Sequence, residues 1–148
     1  MANCEAEGCA LGRALRMGMV GGGRGSFIGA VHRRAATLDG GVELVAGAFA
    51  TTLERSRSMG RELRLPDERV YGTWQEMLEG EAARPAEERL DFVAVITPND
   101  THYPIARAFL EAGVHVVCDK PMTTTLADAR ALVGVVEATG LVFALTHN

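Results

Sequence analysis

The stretch LRMGMVGGGRGSFIGAVH, residues 15–32, joins a short apolar run to a helix-like segment through three consecutive glycines. An apolar run of this length, with little polar alternation, is typical of a strand buried on both faces of a parallel sheet. A glycine turn between such a strand and a helix lets the backbone approach a phosphate at the positive N-terminus of that helix. We therefore interpret the stretch as the first strand–turn–helix unit of a nucleotide-binding α/β domain.

Outward from this unit, apolar runs and helix-like stretches alternate along the chain. Such alternation predicts a Rossmann-type, doubly wound parallel sheet of about six strands with helices on both faces. The predicted strands are Leu15–Val20, Val42–Phe49, Arg69–Tyr71, Leu90–Ile96, Val114–Cys118 and Leu141–Leu145. The predicted helices are Phe27–Leu38, Leu53–Glu62, Trp74–Glu79, Tyr103–Ala112 and Leu126–Thr139. Residues 1–14 show no periodicity, so we expect an N-terminal extension followed by one domain over residues 15–148.

Residues near the predicted helix ends support these boundaries. Thr101 is placed to cap the fourth helix, and Gly113 to end it. Thr125 and Asp128 have the spacing of a capping box, although its third residue is usually Glu or Gln. The polar residues 79–90 are expected to form a surface crossover loop.

Composition excludes several classes of protein. The chain has 148 residues, of which 47% are hydrophobic and 23% charged, with a net charge of −4. These values suit one globular domain, and the lack of a basic excess argues against nucleic acid as a partner. No apolar run approaches the roughly 18 residues of a membrane span, and the acidic N-terminus has no apolar core of a secretory signal. We expect a cytoplasmic protein whose cysteines, Cys4, Cys9 and Cys118, are reduced and bind no metal.

The glycine turn matches a dinucleotide-binding pattern incompletely. Gly21 and Gly23 have the G-x-G spacing, but the third glycine position holds Ser26. Similar turns also occur without a ligand. We expect Gly23→Val to block the cofactor with little loss of fold. The candidate cofactor-binding residues here are Gly21, Gly23, Arg24, Gly25, Ser26, Phe27 and Ile28.

The residues after the second strand bear on cofactor choice. A dinucleotide fold often has an acidic residue here, which binds the adenosine ribose. This sequence has Ala50, followed by Thr51, Thr52 and Arg55, so a 2′-phosphate is tolerated and NADP is an alternative to NAD. The competing interpretation is an ordinary helix start with threonine caps and solvated arginines.

Two further strand ends carry polar residues. After the fourth strand, TPNDTHY supplies the candidates Thr97, Pro98, Asn99 and His102, although a turn that merely caps the next helix explains part of it. After the fifth strand, CDKP supplies Asp119, Lys120 and Pro121. Lys120 is the only lysine beside fourteen arginines, and a lysine can exchange a proton where an arginine cannot. A solvated loop lysine is the alternative.

Taken together, these motifs resemble the Gfo/Idh/MocA oxidoreductases, which include glucose–fructose oxidoreductase and inositol 2-dehydrogenase. The resemblance covers about Arg16 to Asn148 and rests on the glycine turn with His32 behind it, on Thr97-Pro98-Asn99-x-x-His102, and on Asp119-Lys120-Pro121. The last motif stands where the family typically has Glu-Lys-Pro. The glycine turn is longer than the family's usual form.

The resemblance implies an NAD(H)- or NADP(H)-binding domain in which Lys120 lies beside the nicotinamide and the substrate hydroxyl. It implies hydride transfer to or from a CH–OH group of a small sugar- or polyol-like substrate, and a full-length protein that is able to form a homo-oligomer. The family's second domain, which forms the substrate pocket, is not in this chain, so this fragment alone is expected to be inactive. His147 and Asn148 would then lie at the edge of the site.

Two other functions remain open at this stage. One is a nucleotide-binding regulatory or interaction module without turnover, which the missing second domain favours. The other is a methyltransferase, which also has a glycine turn after its first strand. Ala50 argues against a methyltransferase, and that class leaves Asp119-Lys120-Pro121 unexplained.

Overall fold

Five parallel strands form one sheet in the computed structural model, which describes residues 12–147. The strands are β1 (Leu15–Gly21), β2 (Val42–Ala48), β3 (Phe92–Ile96), β4 (His115–Cys118) and β5 (Phe143–Leu145). Their order across the sheet is β2-β1-β3-β4-β5, and every neighbouring pair is parallel. This confirms the predicted Rossmann-type fold. The predicted N-terminal extension lies outside the described residues as far as residue 11, as do Cys4 and Cys9.

The predicted short strand at residues 69–71 is only an isolated bridge. Val70 pairs in parallel with Gly47, and the Tyr71 N–H donates to the Gly47 carbonyl at 2.9 Å. Asp67–Arg69 form a 3-10 turn, so too few extended residues remain for a strand. The sheet therefore has five strands, where about six were expected.

The helices cover both faces of the sheet. They are α1 (Phe27–Thr37), α2 (Leu53–Glu62), α3 (Trp74–Ala82), α4 (His102–Glu111) and α5 (Leu126–Thr139). Because successive strand residues point to opposite faces, β1 and β3 contribute to two separate cores. Met17, Met19 and Ala94 pack with Met59 of α2. Val20, Val93 and Val95 pack on the other face with residues of α3, α4 and α5, which include Met77, Phe109 and Leu132.

Side-chain caps fix where most of the helices begin. Ser26, Thr52, Thr73 and Thr125 each accept a backbone N–H three residues further along the chain. The predicted cap at Thr101 is wrong, because its hydroxyl donates instead to the Pro98 carbonyl at 2.6 Å. A 3-10 turn over Asn99–Thr101 leads directly into α4, so Thr101 has a helical backbone rather than the extended one of a cap.

One charged residue of the expected surface loop is buried. Glu81 is 3% exposed, and it accepts hydrogen bonds from Arg69 at 3.2 Å and from the Tyr71 hydroxyl at 2.8 Å. Burial and the Glu81 carboxylate raise the pKa of Tyr71 to about 12. These contacts fix residues 69–71 to α3 and so position the intervening loop, residues 72–73, at the carboxyl ends of the strands.

The strand order creates a switch point at those carboxyl ends. The chain leaves β1 toward β2 on one side, and it later returns to place β3 on the other side of β1. Ligands of doubly wound folds bind in the crevice at such a reversal. The glycine turn and the Thr97–Thr101 loop both lie there.

Candidate cofactor-binding site

The glycine turn begins where β1 and β3 are joined. Gly21 has a φ of 80°, and a Cβ on it would collide with the Ile96 carbonyl oxygen. The Gly22 N–H donates to that same oxygen at 3.1 Å. The close approach of Gly21 to Ile96 is possible only for a residue without a side chain, so the packing of β1 against β3 requires glycine at the first position of the pattern.

Gly23 approaches the end of β2 in the same way. A Cβ here would collide with the Phe49 carbonyl oxygen, so a side chain would displace backbone. The expectation that Gly23→Val leaves the fold nearly unchanged is therefore wrong. Gly23→Val would impair the turn whether or not a cofactor binds.

The rest of the turn is shaped by a cap and by close packing. Gly25 has a φ of 82°, which favours glycine, while Ser26 accepts the Gly29 N–H at 3.1 Å and caps α1. A Cβ on Gly29 would meet the Gly22 backbone, so Gly29 makes the close helix contact of the pattern's third glycine. Phe27 is 82% exposed at the start of α1, and Ile28 packs against the core on the α2 side of the sheet.

A cleft of about 550 Å³ opens at the carboxyl ends of the strands. Its size suits a bound small molecule. Six of the predicted site residues line it, from three different loops: Gly21, Ser26, Ala50, Thr51, Thr97 and Pro98. The structure thus brings together residues that are as much as 77 positions apart (98 minus 21).

A fourth loop of this cleft was missed in the sequence. Gly72, Thr73, Trp74 and Gln75 also line it. The signal was present, because these residues follow the segment predicted as a short strand, as the other candidate loops follow theirs. Trp74 is also the only tryptophan in the chain.

A second pocket, of about 440 Å³, adjoins the glycine turn on the α2 side. It is lined by Gly23, Arg24, Ser26, Phe49, Ala50, Thr51, Arg55 and Ser58. Arg24 forms an ion pair with Glu62, the last residue of α2. Thr52 does not line the pocket, and its hydroxyl accepts the Arg55 N–H at 3.4 Å as the cap of α2.

His102 lies between the two remaining candidate loops. It is 1% exposed, and its Nδ1 lies 2.7 Å from the Pro121 carbonyl oxygen and its Nε2 2.9 Å from that of Thr97. Both partners are carbonyl oxygens, which only accept hydrogen bonds. His102 thus ties the end of β3 to the loop after β4 and does not line the cleft. Asn99 is exposed in the 3-10 turn before α4.

Asp119 anchors the other side of the loop that carries Lys120. Its carboxylate accepts the Thr146 hydroxyl at 3.2 Å, and its Oδ1 lies 3.8 Å from Nε2 of His32 on α1. The His32 Nε2 is buried and has no hydrogen bond to any described residue. A small approach of these two groups would pair them.

Lys120 itself is exposed, in a cis Lys120–Pro121 linkage. Within residues 12–147 its ammonium has no hydrogen-bond or ion-pair partner, so it is available to a ligand.

Burial, with a contribution from the Asp119 charge, raises the pKa of the neighbouring Cys118 thiol to about 12. Cys118 is therefore a packing residue rather than a nucleophile at neutral pH. His147 is exposed, and Asn148 lies outside the described residues.

These residues fit a dinucleotide. Both pockets adjoin the N-terminus of α1, because its capping residue Ser26 lines each of them. Between residues 12 and 147 the structure has no group of three His, Cys, Asp or Glu side chains placed to hold a metal ion. In the same range no helix is both long and apolar enough to cross a membrane.

Comparisons with known proteins agree with this geometry. A family model for Gfo/Idh/MocA oxidoreductases, described as an NAD-binding Rossmann fold, matches residues 15–147. YfiI, an uncharacterized oxidoreductase of Bacillus subtilis, is 40% identical over 93% of this chain and 35% of its own length. Inositol 2-dehydrogenase 1 of Saccharopolyspora erythraea is 34% identical over 80% of this chain and 32% of its own.

A solved structure matches closely as well. An inositol dehydrogenase homologue from Azotobacter vinelandii, complexed with NADH and myo-inositol, has a TM-score of 0.87 and 44% identity. The match covers 90% of this chain and 35% of that one. The chain therefore spans about a third of the length of the proteins it resembles.

Proposed function

Because the chain belongs to the Gfo/Idh/MocA oxidoreductase family and is its NAD-binding Rossmann domain, we propose that it is the cofactor-binding domain of a dehydrogenase acting on CH–OH groups. The single observation that carries this proposal is the cleft at the switch point. It brings the glycine turn, Ala50 and the Thr97-Pro98 loop together, and the loop with Lys120 follows the next strand.

The glycine turn and the loops after β2 and β3 would together hold a dinucleotide. Gly21, Gly23 and the first turn of α1 would hold the pyrophosphate, and Ala50 and Thr51 would contact the adenosine ribose. The loop that begins at Thr97 would contact the nicotinamide half. When bound, the nicotinamide accepts or supplies the hydride.

Lys120 would do the acid–base work. Its ammonium, free of partners among the described residues, would donate to the reacting oxygen of the substrate and stabilise the negative charge that develops there. Because lysine can also release its proton, it would exchange a proton with that oxygen. Asp119 and His102 hold the loop from its two sides and so fix the backbone from which the Lys120 side chain extends.

We propose a polyol or sugar as the substrate, bound by a further domain outside this chain. The support is that one relative is an inositol 2-dehydrogenase, and that the Azotobacter homologue was crystallised with myo-inositol. We extend the proposal to NADP(H), because the second pocket holds Arg24 and Arg55 and has Ala50 where an acid would repel a 2′-phosphate.

Trp74 provides the test. It is the only tryptophan and lines the cleft, so a reduced dinucleotide bound there would quench its emission by energy transfer. We expect saturable quenching with NADH or NADPH and none with S-adenosylmethionine. Calorimetry on Trp74→Phe controls for the probe and should return a similar affinity. Binding of S-adenosylmethionine, or of no dinucleotide, would overturn the proposal.

A further inference from the structure

Arg33 lies directly behind the glycine turn. It projects from α1, and its Nη1 donates to the Gly22 carbonyl at 2.6 Å and lies 3.4 Å from the Met19 sulfur. The side chain is partly buried between the helix and β1, and burial lowers the pKa of its guanidinium. Arg34, the next residue, is exposed.

No carboxylate in the described part of the chain pairs with this cation. Ion pairs within residues 12–147 involve Arg13, Arg24, Arg69, Arg84 and Arg107, but not Arg33. A desolvated cation without a counterion is costly unless another negative group approaches it. Among the described residues, its hydrogen-bond partners are a carbonyl oxygen and a thioether.

The contact with Gly22 also orients the next amide. In a trans peptide the carbonyl of one residue and the N–H of the next point in opposite directions. Since the Gly22 oxygen is held toward α1, the Gly23 N–H points away from Arg33, on the side of the open turn. Among the described residues nothing accepts that N–H. Gly23 lines the pocket beside the turn.

We propose that Arg33 is a positioning residue for the cofactor pyrophosphate. It locks the Gly22–Gly23 peptide so that the Gly23 amide is presented to a phosphate oxygen, and it adds positive charge behind the turn. This inference rests on the proposed function, because it requires a dinucleotide in the cleft. It assigns to α1 a task beyond its N-terminal turn, carried out by a side chain that does not touch the ligand.

The test compares Arg33→Met, Arg33→Lys and the matched control Arg34→Met. Methionine preserves the apolar stem at position 33 but cannot donate, and the control removes one positive charge from an exposed site. ADP-ribose, which contains the pyrophosphate, and adenosine, which has no phosphate, are the probes. The Gly23 amide resonance is followed by NMR in ¹⁵N-labelled protein, and thermal unfolding is recorded for every variant.

We expect Arg33→Met to weaken ADP-ribose binding by roughly tenfold or more, the range of a lost charge-assisted hydrogen bond. Adenosine binding should be unchanged, and the ligand-induced shift of the Gly23 amide should vanish. Arg33→Lys should retain part of the ADP-ribose affinity and part of the ligand-induced Gly23 shift. It serves as the test if Arg33→Met does not fold.

Three outcomes would overturn the inference. Wild-type ADP-ribose affinity with an intact Gly23 shift in Arg33→Met would show that the side chain positions nothing. Equal losses for ADP-ribose and adenosine would indicate a purely structural role. Failure of the parent protein to bind ADP-ribose would instead remove the proposed function, and the inference with it.

Discussion

Glu62→Gln tests whether the pocket beside the glycine turn selects between NADH and NADPH. Arg24, from the turn, reaches Glu62 at the end of α2. A 2′-phosphate in this pocket would have to displace Glu62 from Arg24 or share the guanidinium with it, because Arg24 lines the pocket. Neutralising Glu62 should therefore improve NADPH binding and leave NADH binding unchanged.

The expected gain in NADPH affinity follows from the solvent exposure of Arg24 and Glu62. The two side chains are 72% and 45% exposed, so solvent screens their attraction strongly. Exposed ion pairs contribute about 0.2–1 kcal/mol. Releasing such a pair before the phosphate binds corresponds to roughly a 1.4- to 5-fold gain in NADPH affinity.

Quenching of Trp74 by each cofactor gives both dissociation constants in one assay. The matched control is Glu43→Gln, which removes the same charge from an exposed residue. Glu43 lies near the amino end of β2, whereas the pocket lies at the carboxyl ends of the strands. The gain should shrink at high salt, because the Debye length falls to roughly 3 Å at 1 M. Equal gains for NADH and NADPH, or the same gain in Glu43→Gln, would refute the reasoning.

Three further predictions address other parts of the site and fold. In a chain extended to full length, Lys120→Arg and Lys120→Met should both retain cofactor binding and lose turnover by roughly 10²–10⁴-fold, the scale of general acid–base catalysis; near-normal rates in both would identify a solvated lysine. Ala50→Asp should shift preference from NADPH toward NADH by repelling the 2′-phosphate, and unchanged relative affinities would contradict that role. Hydrogen bonds from Arg13 lower the pKa of Asp91 below its ordinary value of 3.8, so Asp91 contributes stability above that value that disappears as pH falls through its folded pKa. The deficit of Asp91→Asn in urea unfolding should therefore shrink toward low pH, whereas a constant deficit would rule out this linkage.

The sheet and the glycine turn were predictable because their signals are local. The apolar run before Gly21 and the glycines that follow it lie within one short stretch, so composition and spacing sufficed to predict β1 and α1. The cap at Thr101 failed for a local reason as well. Its hydroxyl can either accept a backbone N–H of the helix or donate back to the Pro98 carbonyl, and residue preference alone does not distinguish these two hydrogen bonds.

Contacts between distant segments were not predictable. Glu81 lies in a polar stretch typical of a surface loop, yet it is buried because Arg69 and Tyr71 meet it from the bridge segment. His102 was a candidate cofactor ligand because it follows a strand, but its two carbonyl partners come from loops 19 and 5 residues away. The approach of His32 to within 3.8 Å of Asp119 similarly requires α1 to lie against the end of β4.

The exposed position of Lys120 makes the chain selectively accessible to amine chemistry. It is the only ε-amine in the sequence, so an amine-directed reagent meets a single reactive side chain. Reductive methylation with ¹³C-formaldehyde would place one side-chain NMR reporter in the loop after β4, and it would keep the positive charge while reducing the number of N–H donors. The residue proposed to carry the chemistry thus accepts a spectroscopic probe in the natural sequence, without any substitution.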